Sequence, residues 1–128
     1  MTKSLQEDRR LIGVTEICLA LPEATRTALG DHASFDVRNK KFAYYLDNHH
    51  CDGIVSVCFR TVRGENEVLL ASDASRFYSP AYIGPKGWVG LRLDVGKIDW
   101  AEVADFLTDS YRLAAPKRLA AMVDAPRS

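Results

Sequence analysis

Residues 34–60 read SFDVRNKKFAYYLDNHHCDGIVSVCFR, three extended runs separated by two pieces of turn chemistry. The spacing predicts strands over Ser34–Arg38 and Lys41–Leu46, joined across Asn39 and Lys40. Asparagine tolerates the left-handed backbone of a tight hairpin, which gives this connection a physical cause. The polar run 47–53 ends in Asp-Gly, a second turn signal. Residues 54–60 then alternate, with Val55, Val57 and Phe59 on one face and Ser56 and Cys58 on the other. Strands joined by tight turns pair antiparallel, and their apolar face needs helices to cover it.

Those helices are written on either side of the strands. Before them, Leu11, Ile12, Val14, Ile17, Cys18 and Leu21 recur at spacings of three and four, one apolar stripe over residues 8–21 that Pro22 terminates. Residues 24–29 form a weak strand candidate bounded by Gly30. After the strands, residues 65–71 predict a short helix, residues 73–87 a loop rich in Pro and Gly, and Trp88–Asp94 a strand with Val89, Leu91 and Leu93 on one side. The last helix has the clearest start: Asp99 as cap, Glu102 three residues on, and Ile98 with Val103 as a hydrophobic staple. Trp100, Val103, Ala104, Leu107 and Tyr111 form its expected buried stripe, Pro116 interrupts it, and residues 117–123 add a short terminal helix. The expected fold is α+β, a single antiparallel β-sheet of about five strands with N- and C-terminal helices packed on one face. Residues 1–128 make one domain, with its core over about 8–120.

Composition narrows the function classes. The chain has 17 basic and 17 acidic residues, so it lacks the basic excess by which phosphate-binding proteins often declare themselves. No apolar run approaches the roughly 18 residues that span a bilayer, and the polar start with Glu7 and Asp8 does not read as a signal peptide. Cys18, Cys51 and Cys58 are an odd, scattered set, which argues against a disulfide framework and for a reducing cytoplasm.

Four segments, LPEA at 21–24, NKKFAYY at 39–45, Gly87–Trp88, and DWAEVADFLTDSYRLAAPKRLA at 99–120, together resemble the MmcQ/YjbR family of small bacterial proteins. The resemblance runs from the first helix through Leu119. It implies a CyaY/YjbR-like fold related to bacterial frataxin, sometimes described as a double-wing arrangement, and a suggested DNA-binding role. Fold alone does not fix function.

Two surfaces are candidates for binding. Arg38, Lys40 and Lys41 cluster at the hairpin turn, Arg60 and Arg63 flank the end of the next strand, Lys86 precedes Trp88, and Arg92 shares the tryptophan's face. Cations with an interleaved aromatic suit phosphate contact and base stacking, although each also reads as a solvated strand end. The second candidate is a pocket beneath the 73–87 loop, lined by Tyr78, Tyr82, Trp88 and Arg92; a lid packed on the open sheet is the plainer reading of the same residues. Residues 49–52 (HHCD) contain metal-ligand types, but consecutive turn residues diverge and closed zinc sites want four ligands, so a solvated turn is expected. Asp99, Glu102, Asp105 and Asp109 read as caps and a solvated helix face rather than a frataxin-like iron site. No GxSxG, HExxH or activated Cys–His arrangement is present. The expected function is therefore a non-enzymatic cytoplasmic binding module without metal or cofactor. Its expected partner is DNA; the alternative is an anionic small molecule or a protein on the sheet face, with iron handling third.

Overall fold

The computed structural model describes residues 8–48 and 53–123. The HHCD segment at 49–52 lies outside the described residues.

Helix α1 (Arg9–Leu19) starts at Asp8, whose carboxylate accepts from the Arg10 amide at 2.8 Å and also pairs with the Arg10 guanidinium. Its stripe buries Leu11, Val14 and Cys18 while Ile12 stays exposed. Strands β1 (Ala24–Leu29), β2 (His32–Val37), β3 (Lys40–Asp47) and β4 (Val55–Arg60) follow as an antiparallel meander. Helix α2 (Glu65–Ser72) leads to β5 (Phe77–Tyr78), a 3₁₀ turn at Gly84–Lys86, and β6 (Trp88–Arg92). Helices α3 (Trp100–Ala114) and α4 (Lys117–Met122) complete the chain. The sheet order is β1-β2-β3-β4-β6-β5, with every neighbouring pair antiparallel.

Six strands form where about five were expected. The sixth, β5, lies inside the anticipated loop: it is two residues long, too short for any period, and exists because Phe77 and Tyr78 pair with Leu91 and Gly90. The hairpin turn is also shifted by one residue. Its centre is Arg38–Asn39, with φ of 50° and 67°, rather than Asn39–Lys40. The two left-handed residues match the twist of a two-residue hairpin, and Arg38 tolerates the conformation while its guanidinium reaches Glu23.

Helices α1 and α3 cover one face, as expected. The core there joins Phe35, Val37, Phe42, Tyr45, Val57, Phe59, Val89 and Leu91 of the sheet to Val14, Val103, Leu107 and Tyr111 of the helices. Two details of α3 differ from its expected stripe. Trp100 is not buried but lies over Gly13 of α1, where a Cβ would overlap the indole. Phe106, absent from the expected stripe, stacks on Phe59 at 4.6 Å between centroids and meets Phe77 edge-on. The α3 start keeps half of the expected capping box: Asp99 accepts from the amides of Ala101 and Glu102, but the Glu102 carboxylate turns to Arg76.

One polar residue joins helix to sheet. The β2–β3 register shifts between Phe35 and Asp36, so Phe42 has no cross-strand partner. The hydroxyl of Ser110, fully buried, donates to the Phe42 carbonyl at 2.6 Å and accepts from the Arg60 amide at 2.8 Å. It satisfies two backbone groups at the point where β3 and β4 part.

Candidate functional site

On the face opposite α1 and α3, the register aligns one residue from each strand: Thr27, Ser34, Tyr44, Cys58, Gly90 and Tyr78. Alternation along each strand sends these side chains away from the helices. Gly90 supplies the gap that orders the row. A Cβ there would overlap the Tyr78 ring, so only glycine lets that ring lie on β6. So placed, the Tyr78 hydroxyl shares a 2.7 Å hydrogen bond with Ser56, with Cys58 Sγ 3.8 Å away. Cys58 is buried, as expected of a small strand residue. On the other side of Cys58, the Tyr44 ring leans on Trp88 at 5.3 Å. Burial pushes the Tyr44 phenol up from its ordinary value, so it stays protonated at neutral pH.

A cleft of about 550 Å³ opens beside this row. Tyr44, Leu46 and Tyr78 form its floor, Leu29 and Ile54 its sides, and the segment Ser79–Ile83 its rim. The rim is held in an unusual turn. Ile83 donates its amide to the Ala81 carbonyl at 2.8 Å across Tyr82, whose φ is +69°. That hydrogen bond across one left-handed residue is the γ-turn geometry, rare and strained, and Tyr82 is 83% exposed at its apex.

The residues expected to bind divide between two ends of this face. Tyr78 and Tyr82 line the cleft as anticipated. Trp88 is only 7% exposed; it backs Tyr44 rather than offering a face to solvent. Arg92 lies outside the cleft lining, where Asp94 holds it by two contacts at 3.0 and 3.1 Å. Tyr44, Leu46, Leu29, Ile54 and Ile83 were missed. The signal for two of them was present, since Tyr44 and Leu46 put bulky groups on the strand face away from the helices.

The hairpin tip, the end of β4 and the start of β6 share the opposite end of the sheet. Thr61 joins the last two by donating both its amide and its hydroxyl to the Gly87 carbonyl, at 2.8 and 2.9 Å. Of the cations there, Arg38 is engaged by Glu23 at 2.6 and 3.1 Å and Lys41 by Asp36 at 3.0 Å. Lys40, Arg60, Arg63 and Lys86 form no ion pair among the described residues. The acidic residues of α3 are partly engaged as well, Glu102 by Arg76 and Asp109 by Arg112. Among the described residues, no group of three His, Cys, Asp or Glu side chains converges on a metal-sized site, and no helix is long and apolar enough to cross a membrane.

Asp94 gives the β4–β6 edge a pH dependence. The Arg92 guanidinium first, and then the Val55 amide at 3.4 Å, hold its carboxyl below the ordinary aspartate value. A depressed acid stabilises the fold above its unfolded pKa, and the contribution disappears as pH falls through the folded one. Asp94→Asn is therefore expected to be less stable than the parent at pH 7, with the gap closing under acid. Urea midpoints that stay equally separated from neutral pH to strong acid would refute this linkage.

These features define the molecule as a two-layer α+β domain, with one sheet face sealed by helices and the other hollowed into an aromatic cleft. The YjbR family model matches residues 19–113, and the chain belongs to the YjbR family. The crystal structure of Deinococcus radiodurans protein DR2400, which carries a DUF419 domain, is similar in fold. Its TM-score is 0.68 at 19% identity, covering 92% of this chain and 90% of that one. No curated protein matches the chain.

Proposed function

We propose that this YjbR domain is a non-catalytic binding module whose ligand is a small molecule held in the cleft between the sheet and the 79–83 rim. One observation carries the reading: a concave, predominantly apolar site of about 550 Å³, built on strands and walled by a rim that carries Tyr82, falls within the usual size of small-molecule pockets. A thermal-shift screen of metabolites tests it. A ligand that binds only the folded state at about 100 times its dissociation constant adds roughly 2.7 kcal/mol of stability. The melting point should rise for the parent and not for a variant with the cleft filled. A screen in which every hit raises both melting points equally counts against the cleft.

The opposite end of the face favours a second reading, nucleic-acid binding of the kind suggested for the family. Its support is that Lys40, Arg60, Arg63 and Lys86 gather at one end of the sheet without carboxylate partners among the described residues. Anisotropy titrations of duplex and single-stranded DNA at two salt concentrations test it. Contacts from these four cations predict a slope of log affinity against log salt of about −3 to −4. Arg60→Ala with Lys86→Ala should flatten that slope, and binding with no salt dependence removes this reading.

A further inference from the structure

We infer that the cleft takes an uncharged, planar aromatic group, clamped between the ring of Tyr82 and the tyrosines of the floor. This rests on the small-molecule reading above and specifies its ligand. Three observations support it. First, no charged side chain lines the cleft among the described residues. A carboxylate, phosphate or ammonium entering it would leave water with no opposite charge among the described lining residues to receive it, a desolvation cost that an uncharged ring avoids.

Second, Tyr44, Tyr78 and Tyr82 all contribute to one lining. Aromatic rings attract one another in offset or edge-to-face arrangements beyond the area they bury, so three of them around one space select a flat ring over a branched aliphatic chain. The floor rings are immobilised: Tyr44 rests on Trp88, and Tyr78 is fixed by Gly90 beneath it and by the Ser56 hydrogen bond. A preorganised floor loses little side-chain freedom on binding.

Third, the clamp is held in place at an energetic cost. A tyrosine at φ +69° in a γ-turn is unfavourable by about 1–3 kcal/mol, and with the side chain 83% exposed, burial of the ring does not offset it. Glycine would adopt that backbone without strain. That exposed ring stands on the rim of an aromatic cleft, where a ligand ring can cover it.

The test uses the full chain, with 2-naphthol as the neutral planar probe, 2-naphthoate as its charged counterpart and 1-octanol as the aliphatic one. Binding is followed by amide and ring NMR shifts. 2-Naphthol should shift Tyr44, Tyr78, Tyr82 and Ile83, with 2-naphthoate and 1-octanol at least about ten-fold weaker. Tyr82→Gly should weaken 2-naphthol about five-fold or more and, unlike most losses of a binding residue, raise the melting temperature. Tyr82→Phe should keep the affinity. If 2-naphthoate or 1-octanol binds the cleft as well as 2-naphthol, or if Tyr82→Gly leaves 2-naphthol affinity unchanged, the inference is wrong while the cleft reading survives. If none of the three probes shifts a cleft residue, and the metabolite screen gives no ligand sensitive to filling the cleft, both are wrong.

Discussion

Replacing Ser110 with alanine is expected to lower the unfolding free energy by about 3 kcal/mol, a large share of the stability of a domain this size. The side chain itself is small, and its removal empties little volume. The effect comes from what the hydroxyl serves. It donates to the Phe42 carbonyl at 2.6 Å and accepts from the Arg60 amide at 2.8 Å, and those groups lie on different strands. Phe42 occupies the irregular position of the β2–β3 ladder, with no residue of β2 in register opposite it. Each buried backbone group left unpaired costs about 1–3 kcal/mol, less whatever an entering water recovers. Urea unfolding of parent and variant at neutral pH measures the loss. Hydrogen exchange at the Arg60 amide locates it, since that proton should lose protection while amides in the middle of β4 keep theirs. A loss below about 1 kcal/mol, within the range of an ordinary single hydrogen bond, would show that the hydroxyl is incidental to the helix–sheet junction.

Gly90→Val is expected to combine a loss of stability with loss of the cleft. Valine suits a strand, and Gly90 has no left-handed backbone to protect, so local propensity favours the change. Packing opposes it. The added Cβ overlaps the Tyr78 ring, which must swing away, breaking its 2.7 Å bond to the buried Ser56 and removing one wall of the cleft floor. Overpacking of this kind costs about 1–3 kcal/mol. The mechanism makes a sharper demand than the magnitude: the cost requires the ring. In a Tyr78→Ala background, Gly90→Val should be nearly neutral, so the two changes should show a coupling close to that whole cost, about 1–3 kcal/mol, in a double-mutant cycle. Additive effects would mean that the glycine serves something other than the tyrosine. Cleft ligands should bind neither Gly90→Val nor Tyr78→Ala, even though both are expected to fold.

Much of this site was legible residue by residue, and little of it as a site. Tyr78 and Tyr82 stood out because aromatics in a Pro- and Gly-rich loop ask for something to pack on, and both line the cleft. Arg38, Lys41 and Arg92 stood out as cations, yet each has a carboxylate, from Glu23, Asp36 and Asp94 respectively. Of these, Asp94 is two residues from its arginine, Asp36 is five from its lysine, and Glu23 is fifteen from Arg38 across the β1–β2 edge. Only the last depends wholly on tertiary structure. Arg76 drew no notice in the sequence, although it bridges Asp73 and Glu102 and lies over the Phe77 ring at 5.0 Å, tying the start of α3 to β5.

The sequence by itself determined the two-layer plan. Periods of two in residues 34–60 and of three and four at either end are local, and each states which face must be buried. That is sufficient to put helices on one side of an antiparallel sheet. Only the tertiary structure decided what the other side became. A cleft is made by register, by which residue of one strand stands opposite which residue of another, and by gaps such as Gly90 whose purpose is visible only once Tyr78 fills them. The backbone strain at Tyr82 is equally hidden, because a sequence records which side chain is present and not the φ it is made to adopt.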